Sequence, residues 1–223
     1  KKVIKDGYNI VRVKVGELSI NQDYERIKSL RNNFGDNVKI WLDANQAWSR
    51  NQAVEALNKF NEFNIYMVEQ PLDKLDLEGN RYVMENTSVS LMIDEGIQER
   101  KDLEIIVKNK LANAVNLKFM KLGSYLETRN LVNEALNVGI KSYCGGTAVT
   151  DIFASYARNV EFSLSGLRYF SSGKPRGSSL IENPIVSNIG YSPKCPYATR
   201  PTSPGIGARI NHNKFDKFIV EEL

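Results

Sequence analysis

Short apolar segments recur along the first two-thirds of this chain at intervals of roughly 25 residues. Each runs into a charged residue and is followed by a helical pattern. That period is the one produced by repeated βα units, and it restricts the fold more than any other feature. Asn9–Val15, Val38–Asp43, Ile65–Glu69, Leu91–Asp94, Ala114–Lys118 and Ile140–Cys144 read as successive strands. Between the first two, Asn21 and Asp23 are expected to cap a helix whose apolar stripe is Tyr24, Ile27, Leu30 and Phe34, with Gly35 as its stop. Ser49 is expected to cap the next helix, with Ala53, Leu57 and Phe60 facing inward. Further helices are predicted over 75–84, 100–108, 125–138 and 149–157, followed by a weaker strand over 160–164. Such a series predicts an α/β fold, a parallel sheet with helices outside. It is either a βα-barrel or an open doubly wound sheet, which periodicity does not separate. After Ser165 the character changes: six of the seven prolines lie between Pro175 and Pro204, among many Gly and Ser. The expected organisation is a βα catalytic region over 1–165 and an irregular, ordered wrap of the same domain over 166–223.

With 223 residues, 42% of them hydrophobic and 25% charged, the chain has enough apolar material for one large domain. A net charge of +4, with both signs interspersed, offers no basic stripe for nucleic acid. No apolar run approaches the length of a membrane span, and the expected compartment is the cytoplasm. Two cysteines, Cys144 and Cys195, predict ordinary thiols rather than a disulfide framework. The single histidine, His212, lies near the C-terminus, so the commonest general base is missing from the βα region.

The side chains with chemistry to offer stand where strands give way to loops: Lys14, Asp43, Glu69, Asp94 and Lys118. In a parallel barrel these ends share one mouth. Three carboxylates on adjacent strands suit a hard divalent cation such as Mg²⁺, and Mn²⁺ has similar requirements. Without a cation they repel one another and their pKa values rise. Such a cation, and Arg12 on the same strand face as Lys14, disfavour the ammonium form of Lys14 and bring it toward the neutral base. A lone acid at a strand end is ordinarily a cap, and a lone lysine a solvated charge. Five at successive equivalent positions form a stronger signal. Arg12 alone either pairs with a neighbouring carboxylate or serves the site.

The segments RVKVG (12–16), WLDANQAW (41–48), VEQPL (68–72), MIDEG (92–96) and VNLKFMKLGS (115–124) resemble, in order and spacing, the enolase superfamily. The subgroup they resemble most is that of muconate-lactonising enzyme, alongside the mandelate racemase branch. The likeness spans about residues 5 to 165, and PGIGARI (204–210) is similar to that family's closing segment. The resemblance implies a TIM-type (β/α) barrel with Asp43, Glu69 and Asp94 as Mg²⁺ ligands and Lys14 and Lys118 as the acid/base pair on opposite faces of a small carboxylate substrate. Asn45 and Glu95 are implied as residues near the metal. The implied reaction is abstraction of the α-proton, giving an enediolate stabilised by the ion. An isomerase is expected, either a cycloisomerase or an epimerase/racemase. A syn-dehydrating lyase of the o-succinylbenzoate synthase type is the alternative, as is a homologue that binds metal and carboxylate without turnover. The histidine base of the mandelate racemase branch has no counterpart before His212, which favours two lysines.

The chain also departs from the family pattern. Arg12 stands where a lysine is usual, and Gly123-Ser124 replaces a Gly-Gly pair. After Gly145-Gly146-Thr147 the expected acid is Thr150, with Asp151 beside it. The paired aspartates of dipeptide epimerases would fall near Ser163 and Ser165. Family members also carry a capping domain and one more barrel strand before RVKVG. The expectation is therefore a barrel lacking its first strand and cap, forming a homo-oligomer or associating with an N-terminal segment. An open-sheet nucleotide-binding module is disfavoured because no Gly-rich phosphate loop follows an early strand.

Overall fold

Strands buried on both faces need apolar residues at nearly every position, and Leu91, Met92 and Ile93 are all buried. In the computed structural model, the described residues are 4, 7–145, 150–164, 167–169, 186–187 and 203–216. They divide into two units: residues 8–143, and residues 1–7 together with 144–223.

In the first unit, β1 (Ile10–Lys14), β2 (Lys39–Asp43), β3 (Ile65–Glu69), β4 (Leu91–Ile93), β5 (Ala114–Asn116) and β6 (Lys141–Tyr143) pair in parallel, in strict chain order. A doubly wound sheet reverses its order part-way, whereas sequential order sends every crossover the same way. The order is therefore that of a βα-barrel. The crossovers contain α1 (Ile20–Phe34), α2 (Arg50–Phe60), α3 (Leu77–Asn86), α4 (Arg100–Asn109), the short α5 (Phe119–Leu122) and α6 (Tyr125–Asn137). Ala53, Leu57 and Phe60 of α2 are fully buried, as expected.

The start of α1 corrects one expectation. Ser19, not Asn21 or Asp23, is its cap, in a reciprocal box with Gln22. Asp23 is buried and does other work: its Oδ2 accepts the Gly16 N–H at 2.7 Å, and its Oδ1 accepts from Arg26 at 2.7 Å. Ser49 caps α2 through the same box with Gln52.

In the second unit, α7 (Asp151–Ser163) begins at Thr150, whose hydroxyl accepts the Phe153 N–H at 3.3 Å. The strand expected over 160–164 is instead the last turn of this helix; an Arg158–Glu161 pair at 2.7 Å spans one turn, and helical spacing buries Ala154 and Val160. The Ser155 hydroxyl donates to the Ile206 carbonyl at 3.1 Å, which anchors the PGIGARI segment to α7. The unit also contains β7 (Leu167–Tyr169), an antiparallel pair β8 (Val186–Ser187) and β9 (Arg209–Ile210), and α8 (His212–Phe215). The rest of the expected wrap over 166–223, with Cys195, Gly146, Thr147 and Ser165, lies outside the described residues.

Candidate metal and acid–base site

Sheet register decides which strand-end residues meet. Lys14 is level with Asp43 and Asp43 with Glu69 across β1–β2–β3. Glu69 is level with Met92, so Asp94 stands two residues further on, just past the end of β4. The three carboxylates therefore occupy the same end of three adjacent strands. Asp43 and Glu69 are fully buried and Asp94 nearly so.

Cations bracket them. The Lys14 ammonium donates to Asp43 Oδ2 at 2.6 Å and also to Asn45 Oδ1. Arg12 donates to Asp43 and lies 3.0 Å from Glu69 Oε2. On the far side, Lys118 donates to Asp94 Oδ2 at 2.6 Å. Lys121 donates to Asp94 Oδ1 at 3.1 Å and to the Asp94 carbonyl at 2.9 Å. The Asn45 amide donates to Glu95 Oε1 at 2.8 Å.

The electrostatics follow from this packing. Burial pushes the Glu69 carboxyl up to about 8; Asp43 and Asp94 add to the rise, while Arg12 and the Asn116 amide oppose it. Burial also acts against the charges of Arg12 and Asp94, but opposite charges prevail in both. Glu69 and Asp43 raise Arg12, and Lys118 and Lys121 lower Asp94.

Hard oxygen donors of this kind fit a divalent cation. Among the described residues no three such side chains already stand close enough to share one. Glu69 Oε2 is buried without a hydrogen bond even though Arg12 lies at ion-pair distance, because distance alone does not align a donor. Glu95 Oε2 is likewise buried and unbonded. These two oxygens are acceptors for a group beyond the present contacts, so the residues fit an ion.

Of the expected site residues, Lys14, Arg12, Asp43, Asn45, Glu69, Asp94, Glu95 and Lys118 form this connected cluster. Thr150 belongs to the second unit, where its hydroxyl is spent on capping α7, and the Asp151 side chain lies outside the described residues. Three contacts were not foreseen from the sequence. Asn116 donates to Glu69 Oε1 at 2.9 Å, Lys121 grips Asp94, and Gln70 bonds the chain at Asp94. Two-residue strand periodicity places Asn116 and Lys118 on one face, a signal that points to Asn116; the contacts of Lys121 and Gln70 depend on loop geometry.

A family model described as Enolase C-terminal domain-like matches residues 1–214. The chain belongs to that family. This enolase-type domain has relatives among named enzymes. It is 28% identical over 219 residues to the N-succinyl-L-Arg/Lys racemase of Bacillus cereus, covering 98% of this chain and 58% of that protein. The crystal structure of the Bacillus cereus N-succinyl Arg/Lys racemase superposes with a TM-score of 0.88 at 27% identity, over 99% of this chain and 58% of that one. The dipeptide epimerase of Enterococcus faecalis, solved with Mg and L-Leu-L-Tyr, gives a TM-score of 0.85 at 27% identity, over 93% and 58%. Muconate lactonizing enzyme from Pseudomonas putida shares the fold, with a TM-score of 0.87 at 21% identity over 97% and 59%. The chain thus spans under two-thirds of the length of these relatives. Among the described residues no helix is long and apolar enough to cross a membrane.

Proposed function

We propose that this domain serves a Mg²⁺-dependent isomerase that abstracts and returns the α-proton of a small carboxylate. A racemase or epimerase acting on an acylated amino acid or dipeptide is the form the named relatives favour; a cycloisomerase shares the first step. The observation that carries the reading is the bracketing of three buried carboxylates by Lys14 at one flank and Lys118 at the other. Asp43, Glu69 and Asp94 would hold the ion. When bound, it supplies positive charge beside the substrate carboxylate, which stabilises the negative charge left when the proton departs.

The remaining work belongs to side chains. One lysine, as the neutral amine, takes the α-proton, and the other, as the ammonium, returns a proton to the opposite face of the same carbon, which inverts it. Lys14 and Lys118 are held by Asp43 and Asp94, and both ammonium groups would be available to the substrate where those carboxylates serve an ion instead. Asn45 positions Lys14 through its carbonyl oxygen while its own amide is held by Glu95. Arg12 compensates Asp43 and Glu69 without titrating, since a guanidinium stays charged.

The test is proton exchange. In ²H₂O with Mg²⁺, N-succinyl amino acids and dipeptides are expected to gain one α-deuterium with loss of optical purity, read by mass spectrometry and chiral chromatography. Lys14→Ala and Lys118→Ala each lower that exchange by about 10²-fold or more. Exchange that ignores Mg²⁺ and both substitutions overturns the reading. A second reading, a homologue that binds without turnover, is favoured by Thr150, whose hydroxyl caps a helix where the family pattern has an acid. Carboxylate binding by calorimetry that needs Mg²⁺, with no α-exchange, selects it.

A further inference from the structure

Gln70 follows Glu69 at the end of β3 and has a positive φ of 40°, in the region that favours glycine. A glycine would take this conformation at less cost, so the glutamine is there for its side chain. It is fully buried, and every polar group of the residue is used. Its N–H donates to the Met92 carbonyl at 2.8 Å, and its carbonyl accepts the Gln46 N–H at 2.8 Å. Its Nε2 donates to the Leu72 carbonyl at 2.9 Å. Its Oε1 accepts two backbone N–H groups, from Asp94 at 2.9 Å and Gly96 at 3.0 Å.

Those last two bonds matter because of where β4 stops. The ladder between β3 and β4 ends at Glu69↔Met92, and the strand ends at Ile93. Asp94 is therefore beyond the reach of sheet pairing on that side, and a chain leaving a sheet is free to turn. The Gln70 side chain stands in for the absent rung, so the residue after one acidic side chain fixes the backbone of the next.

We infer that Gln70 is a positioning residue that fixes the backbone of Asp94 relative to that of Glu69 for a divalent cation before the cation arrives. The inference rests on the proposed Asp43, Glu69 and Asp94 ion site. Supporting contacts of this kind typically govern ion affinity by about 10- to 100-fold.

The experiment is calorimetric titration with Mg²⁺, at a temperature where circular dichroism shows each variant folded. Gln70→Met keeps the volume and removes the amide; its Mg²⁺ Kd is expected to rise about tenfold or more. The bound Mn²⁺ electron paramagnetic resonance spectrum is expected to broaden as the site becomes heterogeneous. Val83→Ala, a buried apolar truncation in α3, controls for general destabilisation and is expected to leave Kd within about twofold of the unaltered chain, since it removes no polar group. An unchanged Kd in folded Gln70→Met overturns the inference and leaves the ion site standing. No Mg²⁺ binding by the unaltered chain overturns both. Where Gln70→Met does not fold, hydrogen exchange in the unaltered, ion-free chain decides. Asp94 and Gly96 amides as slow as those of β4 support the inference, and amides as fast as those of exposed loops overturn it.

Discussion

Water is withheld from the Glu69 carboxylate, and Asp43 and Asp94 add repulsion, so the native chain holds a proton there up to about pH 8. The unfolded chain releases the same proton near its ordinary value of 4.5. Between those two values the native state binds more protons than the unfolded state, so this group makes stability fall as pH rises. In the presence of a chelator, urea midpoints of the unaltered chain and of Glu69→Gln are expected to lie close together near pH 4.5, where the buried acid is as neutral as the amide, and the unaltered chain is expected to fall progressively below the variant toward pH 8. A difference that stays flat, or shrinks, across the window contradicts the assignment. Arg12, beside the same carboxylate, limits the effect without cancelling it.

At the scale of elements, the loop after β1 shows how closely the strand ends are packed. Gly16 has φ +91°, and a Cβ placed on it would lie 2.3 Å from the Ala47 Cβ in the loop after β2. Gly35, the stop of α1, also has positive φ, at +65°, but nothing lies within 4 Å of its absent Cβ. Gly35→Ala is therefore expected to cost about 1 kcal/mol through backbone conformation alone. Gly16→Ala adds a collision and is expected to cost about 3 kcal/mol. Equilibrium urea denaturation of the two variants measures the contrast, and equal losses would show that the packing of Gly16 on Ala47 is dispensable. The collision would also push Lys14, two residues earlier, away from Asp43, so the same variant is expected to weaken Mg²⁺ binding whereas Gly35→Ala does not.

For the whole molecule, an ion that binds only the native state must stabilise it. At a hundredfold excess over Kd the gain is about 2.7 kcal/mol. Thermal unfolding with Mg²⁺ is expected to show this gain, reversed by chelation. In Asp94→Asn, which removes one charge from the ligand set, the Mg²⁺-dependent shift is expected to vanish. A shift of full size in that variant moves the ion elsewhere. The relatives named above are longer than this chain, so substrate selection is a property to be measured on longer members of the family as well.

The sequence by itself determined the repeating units and the identity of the charged strand ends, because period-two and period-3.6 patterns and turn residues are local. Ile65–Glu69 was legible to the residue, and Ser49 was legible as a cap. The choice between barrel and doubly wound sheet needed strand order, which is a long-range property. The Ser19 cap was missed because Asn21 and Asp23 compete with it on propensity, and only the contacts of the buried Asp23 separate them. The last turn of α7 was misread because Val160 suits a strand locally while its helical neighbours bury it. Lys14, Asp43, Glu69, Asp94 and Lys118 could be marked in advance, because each ends an apolar run. That Asn116 holds Glu69, that Lys121 shares Asp94, and that Gln70 replaces a rung of the sheet were decided only by tertiary structure. Such contacts join residues some 25 to 50 positions apart, and their geometry is set by the stagger between neighbouring strands, which no local pattern records.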